Sequence, residues 1–371
     1  MPASRWMLVG KPLRAPFNDG STVLVRDLVR GLSSHRPLTY FGDPEQPLRD
    51  RDKGDEVIDA APMGHAPTLR SKLDVMRAII SYPRRRQPLH FFFTPNRVTS
   101  SALAGIRRLQ PRRLLVQSLM SSHGGANHAR LLHPLDAVVV LSDDTEQRML
   151  LAGLAADRVV RIYPGVPLVA AVAREAPSRI LYAGDLDAQV VDRLSAVAAG
   201  IRRGDLGSFT LTIACRPKAE RDAEYRGQLR DRLAADLSAG RVELMGAVPD
   251  MDALMRRCAI QIFVADHVRR KVDLPLVVLE GLARGLGLVC TDFRPISEVF
   301  DRAAEHSLVV GAQVMASRGA QAFVDALRFA TGDPATVRRW SADARTLVQR
   351  EFSVDTMAMQ YEQLYARLGE R

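Results

Sequence analysis

The sequence predicts an α/β protein built from two doubly wound parallel-sheet domains. Three observations support this prediction: the length of 371 residues, an alternation of apolar strand-like runs with helix-like stretches, and a fresh start of that alternation after residue 178. A chain of this length can form two domains of ordinary size. Alternating strands and helices form parallel sheets that are covered by helices on both faces.

Hydrophobic periodicity assigns the elements of each half. In the first half it predicts strands at 6–10, 37–42, 55–61, 89–93, 113–119 and 137–142, and helices at 22–32, 69–82 and 143–154. In the second half it predicts strands at 179–184, 209–215, 241–246, 259–265, 286–292 and 307–311, with helices between them.

A segment rich in proline and glycine, residues 163–178, separates the halves. The predicted domains are therefore 1–165 and 166–350, followed by a C-terminal helix within 351–371. In doubly wound sheets, ligands bind at the carboxyl ends of the strands. We therefore expect the two domains to face each other across a ligand-binding cleft.

Composition restricts the class and the location of the protein. Hydrophobic residues make up 47% and charged residues 25% of the chain, as in globular proteins, and no apolar run approaches the ~18 residues of a membrane span. The N-terminus lacks the apolar core of a signal peptide, so we expect a cytoplasmic protein. Cys215, Cys258 and Cys290 lie in separate apolar runs without metal-ligand spacing, which predicts buried free thiols.

The net charge of +10 is concentrated in the first half of the chain. Residues 1–168 contain 24 Lys and Arg against 15 Asp and Glu, while residues 169–371 contain 28 against 27. A basic domain favours an anionic partner such as a membrane surface, an acidic polymer or nucleic acid. The alternative is a solvated surface in an arginine-rich protein.

Several enzyme classes are disfavoured because their motifs are missing. The sequence contains no G-x-x-x-x-G-K-[ST], no G-x-S-x-G and no H-E-x-x-H, and the first strand ends in Gly10-Lys11-Pro12, not in G-x-G-x-x-G. One carboxylate is conspicuous: Glu280 lies within the apolar segment PLVVLEGLARGLGLVCTD (275–292). Charged side chains in such surroundings usually have a partner.

Six stretches, taken in order, resemble the retaining glycosyltransferases of family 4, glycosyl transferases group 1, which have the GT-B fold. They are APFNDGST (15–22), VVVLSDDTEQRMLLAGLAADRVVRIYPGV (138–166), RILYAGDL (179–186), VELMGAVPDMDALMRRCAIQIFVA (242–265), PLVVLEGLARGLGLVCTD (275–292) and FSVDTMAMQYEQLYARL (352–368). The resemblance covers nearly the whole chain. It implies that the last helix returns to the first domain.

The resemblance assigns Glu280 to the ribose of a nucleotide, and a carboxylate can accept hydrogen bonds from two vicinal hydroxyls. Seven residues separate the family's two glutamates, so the first would fall at Val272, and the neighbouring Asp273 is the candidate that replaces it at the donor sugar. Asp273 could instead form a turn or a cap.

For the diphosphate, this chain lacks the family's arginine and lysine after Gly184. The candidate cations are Arg216, Lys218 and Lys271. A helix begins at Pro275, Leu276 and Val277, and the backbone N–H groups that follow the proline could add anion binding.

Other predicted site residues lie in loops that follow strands. Gly20 and Ser21 could approach a phosphate or sugar, or Asp19 or Ser21 could simply cap the helix. By resemblance, Gly246 and Val248 face the nucleotide. His123 is a candidate at the donor sugar, although a lone histidine in a Gly-Ser loop is often merely exposed. Asn96 and Ser118 are candidates for acceptor binding.

The resemblance therefore implies a retaining transfer of sugar from a UDP- or GDP-sugar to a saccharide or lipid-linked acceptor, in polysaccharide or glycolipid synthesis. It implies no cofactor and no metal, since the nucleotide-sugar is a substrate. The stretch 69–86, LRSKLDVMRAIISYPRRR, is either a helix packed on the sheet or a basic edge that contacts the inner face of a membrane.

Three alternatives remain. One is a catalytically silent GT-B scaffold, which would explain why Val272 and Asp185 depart from the family pattern. A second is a GT-B sugar epimerase, whose signature residues are not seen. The third is a nucleic-acid-binding protein, disfavoured because aromatic residues form only 6% of the chain and no stacking surface is apparent.

Overall fold

The computed structural model contains two compact units, each with one parallel sheet. Unit 1 comprises Met1–Gly165, Arg269–Leu276 and Ser353–Arg371, and unit 2 comprises Val166–Val268 and Val277–Phe352. The structure describes residues 5–15, 17, 19–33, 36–50, 54–60, 87–93, 95–121, 129–170, 178–217, 220–268 and 272–370. The predicted helix at 69–82, His123, Lys218 and Lys271 lie outside these residues.

Unit 1 is built on a seven-stranded sheet with the order β3-β2-β1-β4-β5-β6-β7, and every strand pair in it is parallel. Its strands are β1 (Trp6–Leu13), β2 (Leu38–Gly42), β3 (Glu56–Asp59), β4 (Leu89–Phe91), β5 (Leu115–Leu119), β6 (Ala137–Val140) and β7 (Val159–Arg161). Its helices are α1 (Gly20–Gly31), α2 (Arg97–Leu109), α3 (Asp143–Leu151) and α12 (Val354–Gly369).

Unit 2 has a six-stranded sheet of order β10-β9-β8-β11-β12-β13, again with parallel pairs. The strands are β8 (Arg179–Ala183), β9 (Thr210–Ala214), β10 (Val242–Met245), β11 (Ile260–Phe263), β12 (Gly287–Asp292) and β13 (Gly311–Met315). The helices are α4 (Ala188–Arg202), α5 (Glu220–Arg232), α6 (Ala234–Ser238), α7 (Met251–Arg256), α8 (Leu276–Ala283), α9 (Glu298–Glu305), α10 (Gln321–Thr331) and α11 (Pro334–Glu351).

The predicted α/β class with two doubly wound parallel sheets is confirmed. In each sheet the strand order reverses beside its first strand, β1 or β8. At such a switch point the loops after neighbouring strands diverge and leave room for a ligand at the carboxyl edge. The central strands are buried on both faces, which explains why Val138, Val139 and Val140 form an unbroken apolar run.

The predicted strand at 307–311 is wrong, because the strand begins only at Gly311. Ser307 has a positive φ of 57°, and the Leu308 amide donates to the Ala303 carbonyl, so these residues complete the end of α9. The Val309 amide donates to the Asp343 carboxylate. Pairing with β12 therefore starts at Gly311, opposite Leu288.

Buried polar contacts attach the C-terminal helix α12 to the sheet of unit 1. Both ring nitrogens of His90 are engaged: Nδ1 lies 2.7 Å from the Tyr365 hydroxyl, and Nε2 lies 2.9 Å from the Ser118 hydroxyl. Ser118 also lies 2.9 Å from the Tyr361 hydroxyl. The ring of Trp6 stacks on Tyr365 at 4.0 Å. The final helix is thus part of the core of unit 1, as the resemblance implied.

Candidate functional site

Loops after the first strands of unit 2 form a small depression at the carboxyl edge of its sheet. At most about 170 Å³ of space, part of it open to solvent, lies among Gly184, Asp185, Leu186, Cys215, Arg216, Pro217, Asp222 and Arg226. Nucleotide-sized ligands usually need about 300–1,000 Å³. This depression therefore matches only a part of such a ligand, for example a phosphate group.

The charges around this depression are mixed. Arg216 and Arg226 supply positive charge, while Asp185 and Asp222 supply negative charge. Burial raises the pKa of the Cys215 thiol, and the neighbouring Arg226 opposes that rise only partly. The thiol is therefore protonated at neutral pH and acts as an apolar wall.

A second charged group at the same edge of unit 2 was missed by the sequence analysis. Arg193 on α4 is buried, and its guanidinium donates to the Val264 carbonyl and lies 3.4 Å from the Thr291 hydroxyl. Its second terminal nitrogen lies 4.0 Å from the Asp266 carboxylate. Arg193 therefore joins the ends of two neighbouring strands, β11 and β12. Its position among Val190, Leu194 and Val197 on the apolar face of α4 was the available signal.

Glu280 lies on α8, the helix that follows β11, and is partly buried. The helix packs closely on the sheet: Gln261 of β11 donates to the Val278 carbonyl at 2.8 Å, beside Gly281. Just after the helix, Gly285 has a φ of 74° and its amide donates to the Leu282 carbonyl, which allows the chain to turn into β12. Two glycines thus fix the position of the helix that presents Glu280.

Val248 and Val277 both pack against one apolar cluster of unit 2, together with Met245 and Met251. The cluster itself consists of Leu181, Ala214, Leu254, Met255, Cys258 and Leu286. Gly246 precedes Val248 in the loop after β10, and a Cβ atom at Gly246 would meet nothing within 4 Å. The structure therefore brings two of the predicted nucleotide-facing residues onto one apolar surface.

The C-terminal sequence carries a family match. Residues 177–333 match the model of the family described as glycosyl transferases group 1. The C-terminal unit is a group 1 glycosyltransferase domain. A search against curated protein sequences gave no significant match.

Solved structures agree with the glycosyltransferase domain at the level of the fold. HepE from Anabaena in complex with UDP-glucose has a TM-score of 0.70 at 14% identity, covering 98% of this chain and 100% of that chain. Sucrose-phosphate synthase from Thermosynechococcus elongatus has a TM-score of 0.72 at 17% identity, covering 99% of each chain. A glycosyltransferase from Rickettsia africae has a TM-score of 0.70 at 13% identity, also covering 99% of each. These values confirm the predicted GT-B fold.

Asp273 is placed in unit 1, whereas the sequence analysis assigned this segment to the second domain. Its carboxylate is fully buried, and Oδ2 accepts hydrogen bonds from the Ser142 hydroxyl at 2.9 Å and the Thr145 hydroxyl at 2.5 Å. The Asp273 amide donates to the Met120 carbonyl at 3.2 Å. The carboxylate therefore lies at the N-terminus of α3.

The loop between β1 and α1 is organised by Asp19, which caps α1. Its carboxylate accepts from the Thr22 amide, the Ser21 hydroxyl and Lys11. Asp19 therefore caps the helix, and this cap is compatible with the binding role predicted for Gly20 and Ser21. Gly20 lies close to the 272–276 segment, since a Cβ atom there would be 3.3 Å from Val272 and 3.8 Å from Leu276.

The two predicted acceptor residues lie in different environments. Asn96 is exposed and caps α2, exchanging hydrogen bonds with Thr99 in a capping box. Ser118 is fully buried between His90 and Tyr361. The structure does not bring these two residues together.

Metal ligands and membrane spans can be assessed in the part of the chain that the structure describes. No group of three or more His, Cys, Asp or Glu side chains there could hold a metal ion. Among those same residues, no helix is long and apolar enough to cross a membrane.

Proposed function

We propose that this protein is a retaining glycosyltransferase that transfers a sugar from a UDP- or GDP-sugar to a saccharide or lipid-linked acceptor. The observation that supports the proposal best is the position of Glu280. It lies within the residues that match the family and on the helix after β11, where the strand order of the sheet reverses.

In this proposal Glu280 accepts hydrogen bonds from the ribose hydroxyls, while Val248 and Gly246 border the base. The HepE structure contains UDP-glucose, which favours a uridine nucleotide as the first donor to test. A charged hydrogen bond of this kind contributes about 1.5–3 kcal/mol, so its loss weakens nucleotide binding roughly 10- to 100-fold.

The diphosphate gains negative charge as the glycosidic bond breaks. We assign its stabilisation to Arg216, with Lys218 and Lys271 as further cations and the start of α8 as a source of backbone N–H groups. A leaving phosphate oxygen then takes the proton of the acceptor hydroxyl, so attack occurs on the face that the phosphate leaves. The sugar therefore keeps its anomeric configuration.

The first experiment is a thermal-shift panel with UDP-, GDP- and ADP-sugars. A ligand at about 100 times its Kd adds about 2.7 kcal/mol to the free energy of unfolding. We expect a shift with one nucleotide, a decrease of that stabilisation to about 0.4–1.4 kcal/mol in Glu280→Ala, and full retention in the matched control Glu224→Ala, an exposed acid of α5. Equal shifts in both variants would contradict the assigned role of Glu280.

The second experiment follows turnover with the nucleotide that binds. NMR of the product with a simple saccharide acceptor reports the anomeric configuration, and free-sugar release reports hydrolysis without an acceptor. An inverted product would overturn the retaining mechanism.

A catalytically silent scaffold is the second candidate. It is favoured by Val272, which stands where the family has its first glutamate, and by Asp273, whose carboxylate is fully buried against two hydroxyl groups. A nucleotide-dependent shift without any sugar transfer or release would support this candidate over the enzyme.

A further inference from the structure

One face of α2 in unit 1 combines free positive charge with exposed apolar side chains. The helix lies in a stretch, residues 75–135, that contains ten arginines and no Asp or Glu. The whole chain has 42 Asp and Glu in 371 residues, so a stretch of 61 residues with the average content would contain about seven acidic residues. The absence of Asp and Glu is therefore specific to this region and does not follow from the composition of the whole chain.

Two of the five arginines between residues 97 and 113 stabilise the fold. Arg107 forms an ion pair with Asp136 at 2.5 Å and donates to the Pro134 and Pro111 carbonyls. Arg113 is buried and donates to the Gln87 carbonyl at 2.7 Å. These contacts fix α2 firmly to the sheet of unit 1.

The other three arginines, Arg97, Arg108 and Arg112, are exposed. Among the described residues, none of the three side chains has a carboxylate within 4.0 Å or a hydrogen-bond acceptor. A single arginine on a protein surface can lack such partners because water solvates it. Three of them beside one rigid helix form a cationic surface.

Large apolar side chains accompany these arginines on the same helix. Val98 is 78% exposed and Leu109 is 83% exposed. The two are eleven residues apart, roughly three helical turns, so they project in nearly the same direction. Arg97 and Arg108 have the same spacing and project roughly 100° away. Between the two rows lie only two small residues, Ser101 and Gly105.

We propose that this α2 surface, defined by Arg97, Val98, Arg108, Leu109 and Arg112, docks on an anionic lipid bilayer. Arginines pair with lipid phosphates, while exposed valine and leucine enter the apolar boundary below the headgroups. Nucleic acid would match the charge but not the apolar row, and this face contains no aromatic residue on which bases could stack. The surface is distinct from the predicted contact at 69–86. The proposal does not depend on transferase activity, since vesicle binding needs no sugar donor.

The test is co-sedimentation of the full chain with vesicles of phosphatidylcholine alone or with about 30% phosphatidylglycerol. The charge variant is Arg97→Gln/Arg108→Gln/Arg112→Gln. The control is Arg30→Gln/Arg318→Gln/Arg367→Gln, which removes three exposed arginines elsewhere. Each surface arginine contributes about fivefold to partitioning, so we expect the charge variant to lose on the order of 100-fold and the control far less. Equal losses in the two variants would overturn the proposal.

A second pair of variants tests the apolar row. Val98→Ser/Leu109→Ser should weaken vesicle binding several-fold at constant charge, while the control Met315→Ser/Phe329→Ser, with side chains 49% and 69% exposed in unit 2, should not. Circular dichroism and thermal melts verify that each variant is folded. Absence of vesicle binding by the parent chain, or binding to a DNA or RNA oligonucleotide that depends on the same arginines but not on Val98 and Leu109, would refute lipid docking.

Discussion

The hydroxyl oxygen of Thr145 lies 2.5 Å from the Oδ2 atom of Asp273, although 128 residues separate them in the sequence. Ser142 donates to the same oxygen, and all three side chains are fully buried. Ser142 also accepts from the Thr145 amide as the N-cap of α3. The segment around Asp273 is therefore attached to a helix N-terminus of unit 1.

This relationship predicts that Asp273 is a positioning residue. Asp273→Ala leaves two buried hydroxyl groups without an acceptor, so we expect a loss of about 2–4 kcal/mol in the free energy of unfolding, and a smaller loss for Asp273→Asn. Denaturant melts of Asp273→Ala, Thr145→Val and the double variant provide the measurement. Because the groups share one hydrogen bond, the double variant should fall short of additivity by about 1–3 kcal/mol. Additive losses, or lost turnover at unchanged stability, would point to direct contact with the donor sugar instead.

His90 predicts an acid-sensitive core in unit 1. Complete burial lowers the pKa of His90 from 6.5 to about 3, so the ring is neutral in the folded protein. The unfolded chain binds a proton near pH 6.5, and stability is therefore full above that pH and falls as the pH decreases toward 3. The slope is about 1.4 kcal/mol per pH unit, or about 2 kcal/mol between pH 7 and pH 5.

The check compares the pH dependence of unfolding in His90→Gln and in His133→Gln, whose histidine is exposed. His90→Gln should be less stable at pH 7 but should lose less stability on acidification. An unchanged pH dependence in His90→Gln would show that other groups are responsible.

Asp19 predicts a pH dependence of the same sign in a lower pH range. Burial by itself raises the pKa of Asp19, but hydrogen bonds from Ser21 and Thr22 and the charge of Lys11 lower it to about 2. Its stabilisation is therefore present above pH 3.8 and is lost as the pH falls through 2. We expect Asp19→Ala to cost about 1–2 kcal/mol at pH 7, measured by denaturant melts, and to approach parent stability near pH 2. Asp157→Ala, at an exposed turn, serves as the control.

Gly281 predicts a steric requirement beside Glu280. A Cβ atom at Gly281 would lie within 2.6 Å of the Gln261 amide group, whose nitrogen donates to the Val278 carbonyl. Gly281→Ala must displace Gln261, so we expect a loss of about 1–3 kcal/mol and weaker nucleotide binding. Gly105→Ala on α2 meets nothing within 4 Å and should gain up to about 1 kcal/mol. Thermal melts of the two variants measure this difference, and equal effects would contradict the packing argument.

Periodicity identified most strands of both sheets because buried parallel strands form short, nearly unbroken apolar runs. It missed α2, whose outward face mixes arginine, valine and leucine, and β7, which has only three residues. It placed the last strand four residues early, since SLVVG (307–311) looks apolar enough for a strand although its first residues complete α9. An apolar run does not reveal where the preceding helix ends.

The sequence by itself determined the α/β class, the two-sheet organisation and the isolation of Glu280 in an apolar segment, because these depend on local periodicity. Only the tertiary structure decided where Asp273 and Ser118 lie. Their partners, Thr145 and Tyr361, are 128 and 243 residues away, and a hydrogen bond over such separations depends on chain topology. The structure likewise separated the five arginines between residues 97 and 113 into two that stabilise the fold and three that remain exposed, since identical side chains differ only in which carbonyls and carboxylates the fold brings within reach.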